Sequence, residues 1–166
     1  EAIYLLESAE SQFPDDTSVL FQLGALLEQS DRHVDAEQAF RRLLNRDPEH
    51  GATLNYLGYM LADGGDRLEE SVRLLERAIK IDPHNGAYLD SLGWAYFKLD
   101  RLDLAETMLQ QASEQMAWNS VIQDHLGDLM LKLERYGDAI AAWERALAGD
   151  GDEVERETIE KKIGDA

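Results

Sequence analysis

The dipeptide Leu-Gly recurs at Leu23-Gly24, Leu57-Gly58, Leu92-Gly93 and Leu126-Gly127, so its glycines step by 34, 35 and 34 residues. A near-constant period of this length marks a repeat array and constrains the fold more tightly than composition does. One repeat cannot bury its apolar face alone; stacked neighbours do so together and form an elongated solenoid. Around the first beat, Leu20, Leu23, Gly24 and Leu27 recur at three- and four-residue steps and share one helix face. Gln29-Ser30-Asp31-Arg32 breaks the pattern, and Ala36, Ala39, Phe40 and Leu43 form a second helical stripe. Asp47-Pro48 stops it, because proline lacks an amide donor and disfavours helix in the residue before it. Gly24 and Ala36 are small enough for the two helices to approach closely.

The same helix–turn–helix pattern returns with Leu54, Leu57, Gly58 and Leu61, then Ser71, Leu75, Ala78 and Pro83. This unit carries one extra residue, placed in Asp63-Gly64-Gly65-Asp66 because insertions in arrays map to loops. A third unit has Leu89, Leu92, Gly93 and Tyr96, then Ala105, Leu109 and Ala112; Ala117 replaces its closing proline, beside Trp118. A fourth has Leu126, Gly127 and Met130, then Ala139, Trp143 and Ala146, with Gly149 read as a left-handed C-cap. Tyr136 and Trp143 are assigned to the core of this pair.

These residues resemble the tetratricopeptide repeat family, over residues 17–151. Ser71, where alanine is usual, and the missing prolines after the third and fourth units are the departures. The stretches at Asp90-Ser91-Leu92-Gly93-Trp94 and Asp124-His125-Leu126-Gly127-Asp128 are similar to bacterial members. The resemblance implies an all-α, right-handed α-solenoid of stacked antiparallel helix pairs, with the first helix of each pair lining a concave groove. The repeats are expected at 17–50, 51–85, 86–119 and 120–151. Residues 1–16, with Ala2, Leu6, Ala9 and Pro14 in register, read as the second helix of an earlier unit whose first helix is missing, so the chain reads as a piece of a longer protein. Its Ile3, Leu5 and Leu6 are expected at an uncapped surface. Residues 152–166 read as a charged capping helix with a thin stripe of Val154, Ile159 and Ile163.

Charge then limits the partners. The chain has 34 acids against 16 bases, a formal charge of -18. Phosphate binding demands a basic footprint, so the charge argues against nucleic acid as a partner and disfavours docking on anionic membrane surfaces. No apolar run reaches the length of a membrane span. The absence of cysteine excludes disulfides and thiolate chemistry and leaves cytoplasm and periplasm equally open. No phosphate-binding glycine loop, paired zinc ligands or nucleophile elbow is present, so no catalytic site and no cofactor are expected. His33, His50 and His84 fall in or beside turns and read as solvated. His125 lies near Asp124 and Asp128, and stacking would bring Asp90 close. That grouping has metal-ligand chemistry, yet capping or neighbouring lysines account for its acids more simply.

By the resemblance, ligand-facing residues lie on the first helices, off the Leu-Gly stripe. Phe21 holds such a place in the first unit, and Asn55 and Tyr59 in the second. Asp90, Trp94, Phe97 and Lys98 follow in the third, and Asp124, Asp128 and Lys132 in the fourth. Aromatics beside carboxylates suit a neutral or basic peptide with apolar anchors. For Phe97, burial between units is an equal reading. The lysine of the family's chaperone-tail clamp falls where this chain has Phe21, Asn55, Asp90 and Asp124, so acidic tails are expected to be repelled. The chain is thus read as a non-enzymatic protein-interaction scaffold. The alternatives are self-association through the uncapped N-terminal helix, and a substrate-recruiting module of a larger enzyme.

Overall fold

The computed structural model describes residues 2–13, 16–65, 67–149 and 154–166. Pro14 and Asp66, used above as punctuation, and the end of the fourth repeat at 150–151 lie outside the described residues. Ten helices occupy the described residues: α1 (Ala2–Gln12), α2 (Thr17–Glu28), α3 (His33–Arg46), α4 (Gly51–Gly64), α5 (Leu68–Ile81), α6 (Gly86–Lys98), α7 (Leu102–Gln115), α8 (Ser120–Lys132), α9 (Tyr136–Ala148) and α10 (Arg156–Asp165). The pairs α2/α3, α4/α5, α6/α7 and α8/α9 pack most extensively and stack into an α-solenoid.

The Leu-Gly beat works through its partner helix. The glycine of each first helix faces one large side chain on the second: Gly24 meets Phe40, Gly58 meets Leu75, Gly93 meets Leu109 and Gly127 meets Trp143. A Cβ on any of the four would come within 2.6 Å of that side chain, inside contact distance, so the close approach requires glycine. Phe40, Leu75, Leu109 and Trp143 are all fully buried. Ser71 is also fully buried, and its hydroxyl donates to the Gly58 carbonyl at 2.6 Å. The departure from alanine therefore leaves no polar atom unsatisfied.

Helix ends follow the same period. Asp16, His50, Asn85 and Asn119 cap the first helices, each accepting a backbone N–H in the first turn. His50 accepts from the Thr53 amide at 3.3 Å, so it is a capping residue and not simply solvated. The second helices begin after Arg32, Arg67, Arg101 and Arg135. Three of these arginines reach back one unit: Arg67 to Glu37 at 2.5 Å, Arg101 to Glu69 at 2.6 Å and Arg135 to Glu106 at 2.6 Å. The Arg67 hydrogen bond pulls the Glu37 carboxyl down to about 2, against its partial burial and with Arg41 assisting.

The residue before the arginine turns left-handed. Asp31, Asp100 and Glu134 have φ of 58°, 61° and 59°. In the second unit α4 runs through Gly64, and the left-handed residue is Gly65, φ 75°. A left-handed conformation costs an ordinary L-residue about 1 kcal/mol that glycine avoids. Glu134→Gly is therefore expected to stabilise the array by about 0.5–1 kcal/mol, read by chemical denaturation; a lower midpoint would contradict it.

Other expectations at the ends need correction. Gly149 is extended, with φ -78° and ψ -174°, and not left-handed. Its lack of a side chain serves close contact instead: a Cβ there would collide with the Trp118 carbonyl oxygen. Tyr136 is 49% exposed at the start of α9, so Trp143 alone of that pair is core. On α1, Ile3 and Leu6 pack against the α2–α5 core, while Tyr4, Leu5 and Phe13 are exposed. At the other end, α10 packs on α9 and begins 36 residues after α8, about one repeat period. It buries Ile159 fully, with Val154 and Ile163 packed against the same core.

Candidate functional site: a concave groove on the first helices

Because first helices stack on one side, their outward residues line a common groove. Its cavity is about 660 Å³. Asn55, Tyr56 and Tyr59 of α4 line it, with Asp90 and Ser91 of α6 and Asp124 and His125 of α8. Val154, Glu155, Thr158 and Ile159 close one end, and Glu28 and Gln29 the other.

Beside the cavity an aromatic column crosses three units. Phe97 stacks on Trp94 with centroids 5.0 Å apart, and Trp94 stacks on His125 at 4.2 Å. Tyr59 lies 6.3 Å from the His125 ring. Lys98 sits 5.0 Å from the Trp94 centroid, and Lys132 sits 5.1 Å from that of Phe97. Such cation–π contacts add to the ion pairs Lys98–Asp63 at 3.9 Å and Lys132–Asp100 at 2.7 Å. Trp94 is only 9% exposed, so it forms the wall behind the groove and not an open anchor. Phe97 is partly buried against the same core.

Asp90, Asp124 and Asp128 are held by internal partners. Buried Asp90 accepts from His125 Nδ1 at 2.9 Å. Burial alone would lower the His125 pKa, but the charge and hydrogen bond of Asp90, with Asp124 and Asp128 nearby, leave it above the ordinary histidine value. Lys162 of α10 bridges Asp124 at 2.7 Å and Asp128 at 2.8 Å. Burial pushes the Asp128 carboxyl up, opposed by Lys162. The lysine thus accounts for the acids near His125. Among the described residues, no group of three or more histidines and acids is disposed to hold a metal ion.

Of the ten residues assigned to the groove from sequence, Asn55, Tyr59, Asp90 and Asp124 line the cavity. Trp94, Phe97, Lys98, Asp128 and Lys132 stand in the layer that supports it. Phe21 lies apart, packed against Phe40, His50 and Tyr56. Sequence reasoning missed Tyr56, which is 40% exposed and meets Phe21 edge-on at 5.4 Å. Its place one residue after Asn55 was the available signal.

Family models described as tetratricopeptide repeat match residues 1–57, 35–85 and 87–114. The chain belongs to the tetratricopeptide repeat family. A TPR repeat-containing protein of Pseudomonas aeruginosa is 33% identical over 123 residues, or 74% of this chain. The chain spans about a fifth of that relative's length, 21%. Among solved structures, a thermophilic TPR protein of Thermus thermophilus aligns with a TM-score of 0.81 at 22% identity, covering 99% of this chain and 88% of that one. PilW, a type IV pilus biogenesis factor, aligns at 0.80 and 19% identity, covering 97% of this chain and 76% of that one. YrrB, a TPR protein with an unusual peptide-binding site, aligns at 0.69 and 17% identity, covering 96% of this chain and 80% of that one. At these identities the structural likeness establishes the shared TPR fold.

Among the described residues, no helix of this TPR chain is long and apolar enough to cross a membrane.

Proposed function

We propose that this TPR array is a protein-interaction scaffold without catalysis of its own, holding a polypeptide segment in the concave groove. The observation that carries this reading is the chemistry of the lining. It presents Tyr56 and Tyr59 with Glu28 and Glu155, while Asp90 and Asp124 of the same lining are already paired with His125 and Lys162. Such a surface selects a neutral or basic segment with an apolar anchor.

Fluorescence anisotropy with short labelled peptides tests the reading. A peptide combining arginine with leucine or phenylalanine is expected to bind, and Tyr59→Ala to weaken it by about tenfold, as loss of an aromatic anchor does. A peptide ending in several acidic residues is expected not to compete with the basic peptide for the groove. Equal affinity of the basic peptide for wild type and Tyr59→Ala, with the fold intact by circular dichroism, would remove the groove assignment.

A further inference from the structure

We propose that a second surface of this array, the cleft between α3 and α5, binds an acidic polypeptide segment. This cleft belongs to the second helices and shares no lining residue with the groove. Its volume is about 530 Å³. Leu44 and Leu74 supply apolar surface, Asn45 and Pro48 stand at one side, and Arg41, Arg73 and Arg77 line the cleft with Glu70, while Glu37 and Glu49, outside the lining, also pair with Arg41 and Arg77. In a chain of formal charge -18, a lining of three arginines to one glutamate reverses the prevailing sign. The two helices together hold 6 of the chain's 16 basic residues: Arg41, Arg42, Arg46, Arg73, Arg77 and Lys80.

The arginines are disposed differently from those of the inter-unit ladder. Arg41 is held by Glu37 and Glu70, each at 2.7 Å. Arg77 donates to the Pro48 carbonyl oxygen and lies 3.6 Å from Glu49. Both guanidinium groups are therefore positioned before any ligand arrives, which lowers the ordering cost of binding. Arg73 is exposed and has no ion pair or hydrogen bond among the described residues. A guanidinium presents a planar fork of donors that matches a carboxylate in bidentate fashion. The overall negative field opposes an acidic ligand only weakly at close range, because physiological salt screens charges beyond about 8 Å. An Asp/Glu-rich segment with one apolar side chain fits both the arginines and the leucines. This assignment is independent of the groove, which is complementary to the opposite charge.

The test uses a labelled peptide alternating glutamate and leucine, measured by anisotropy against the whole chain in buffer near physiological salt. Wild type is expected to bind it. Arg73→Glu is expected to weaken binding by about tenfold, by removing an attraction and adding a repulsion. Glu70→Gln, which removes the acid of the cleft lining and frees Arg41 of one of its two carboxylates, is expected to tighten binding by about threefold. Arg73→Glu is also expected to leave binding of the basic groove peptide unchanged, so failure of one surface is distinguishable from failure of the other. The proposal is overturned if the acidic peptide does not bind, or if neither substitution changes its affinity. It is equally overturned if sedimentation shows the cleft covered by a second copy, or if a single-stranded oligonucleotide binds there more tightly than the peptide.

Discussion

Trp143→Ala is expected to lower the stability of the array by about 3–5 kcal/mol, the largest effect of any single truncation considered. Trp143 is the largest fully buried side chain, and its indole fills the space left by Gly127, where an added Cβ would collide with Nε1. Truncation would leave a cavity between α8 and α9 that the fixed helix pair closes only in part. Trp143→Phe should cost less. The first pair already uses Phe40 at the equivalent place against Gly24, and Trp143 Nε1 is buried without a hydrogen-bond partner among the described residues. In an array each unit touches only its neighbours, so the loss should concentrate near the fourth pair. Chemical denaturation measures the total, and hydrogen exchange should show faster opening in α8–α10 than in α2–α5. A cost below about 1 kcal/mol, or uniform acceleration of exchange, would refute this account of the Leu-Gly beat.

The two halves of that contact differ in how they appear in the sequence. Glycine is small and rare enough to be seen as a beat, and the large residues at 40, 75, 109 and 143 follow it at 16- or 17-residue spacing. Local pattern therefore carried the helix pairs. It also contained the caps at 16, 50, 85 and 119 and the arginines at 32, 67, 101 and 135, which the apolar pattern leaves unread because they are polar. What was not legible depends on neighbouring units. Trp94 and Tyr59 occupy the same outward position of successive first helices, yet Trp94 is buried because both His125 and Phe97 stack on it. Phe21 stays out of the groove lining because His50, the cap of α4, and Tyr56 of α4 receive it. No spacing rule within one unit holds that information. The same is true of Lys162, whose helix shows a poor apolar stripe but which reaches from α10 to both Asp124 and Asp128 of α8.

The buried Asp90–His125 pair, 2.9 Å apart, is expected to make the joint between the third and fourth units pH-dependent. Both side chains are buried, so removing one partner exposes the other to the full cost of an uncompensated buried charge. Breaking such a pair costs about 3–5 kcal/mol. Asp90→Asn keeps the volume and removes the charge, so its cost should depend on the protonation of His125. In the fold that histidine's pKa is raised above its ordinary value of 6.5, with Asp90 as the main favourable cause against the opposing effect of burial. The raised value means that the folded state holds the proton more tightly than the unfolded chain. The stabilisation is therefore complete below pH 6.5 and is lost as pH rises through the folded pKa. Asp90→Asn should destabilise most at mildly acidic pH and progressively less above neutrality. Glu37 does not confuse the reading, because its contribution is complete above 4.5 and fades only as pH falls toward about 2. Unfolding midpoints of wild type and variant from about pH 5 to 9, with the His125 ring titrated by NMR, measure both sides of the linkage. Parallel curves for the two proteins, or a histidine titrating at or below its ordinary value, would eliminate the joint.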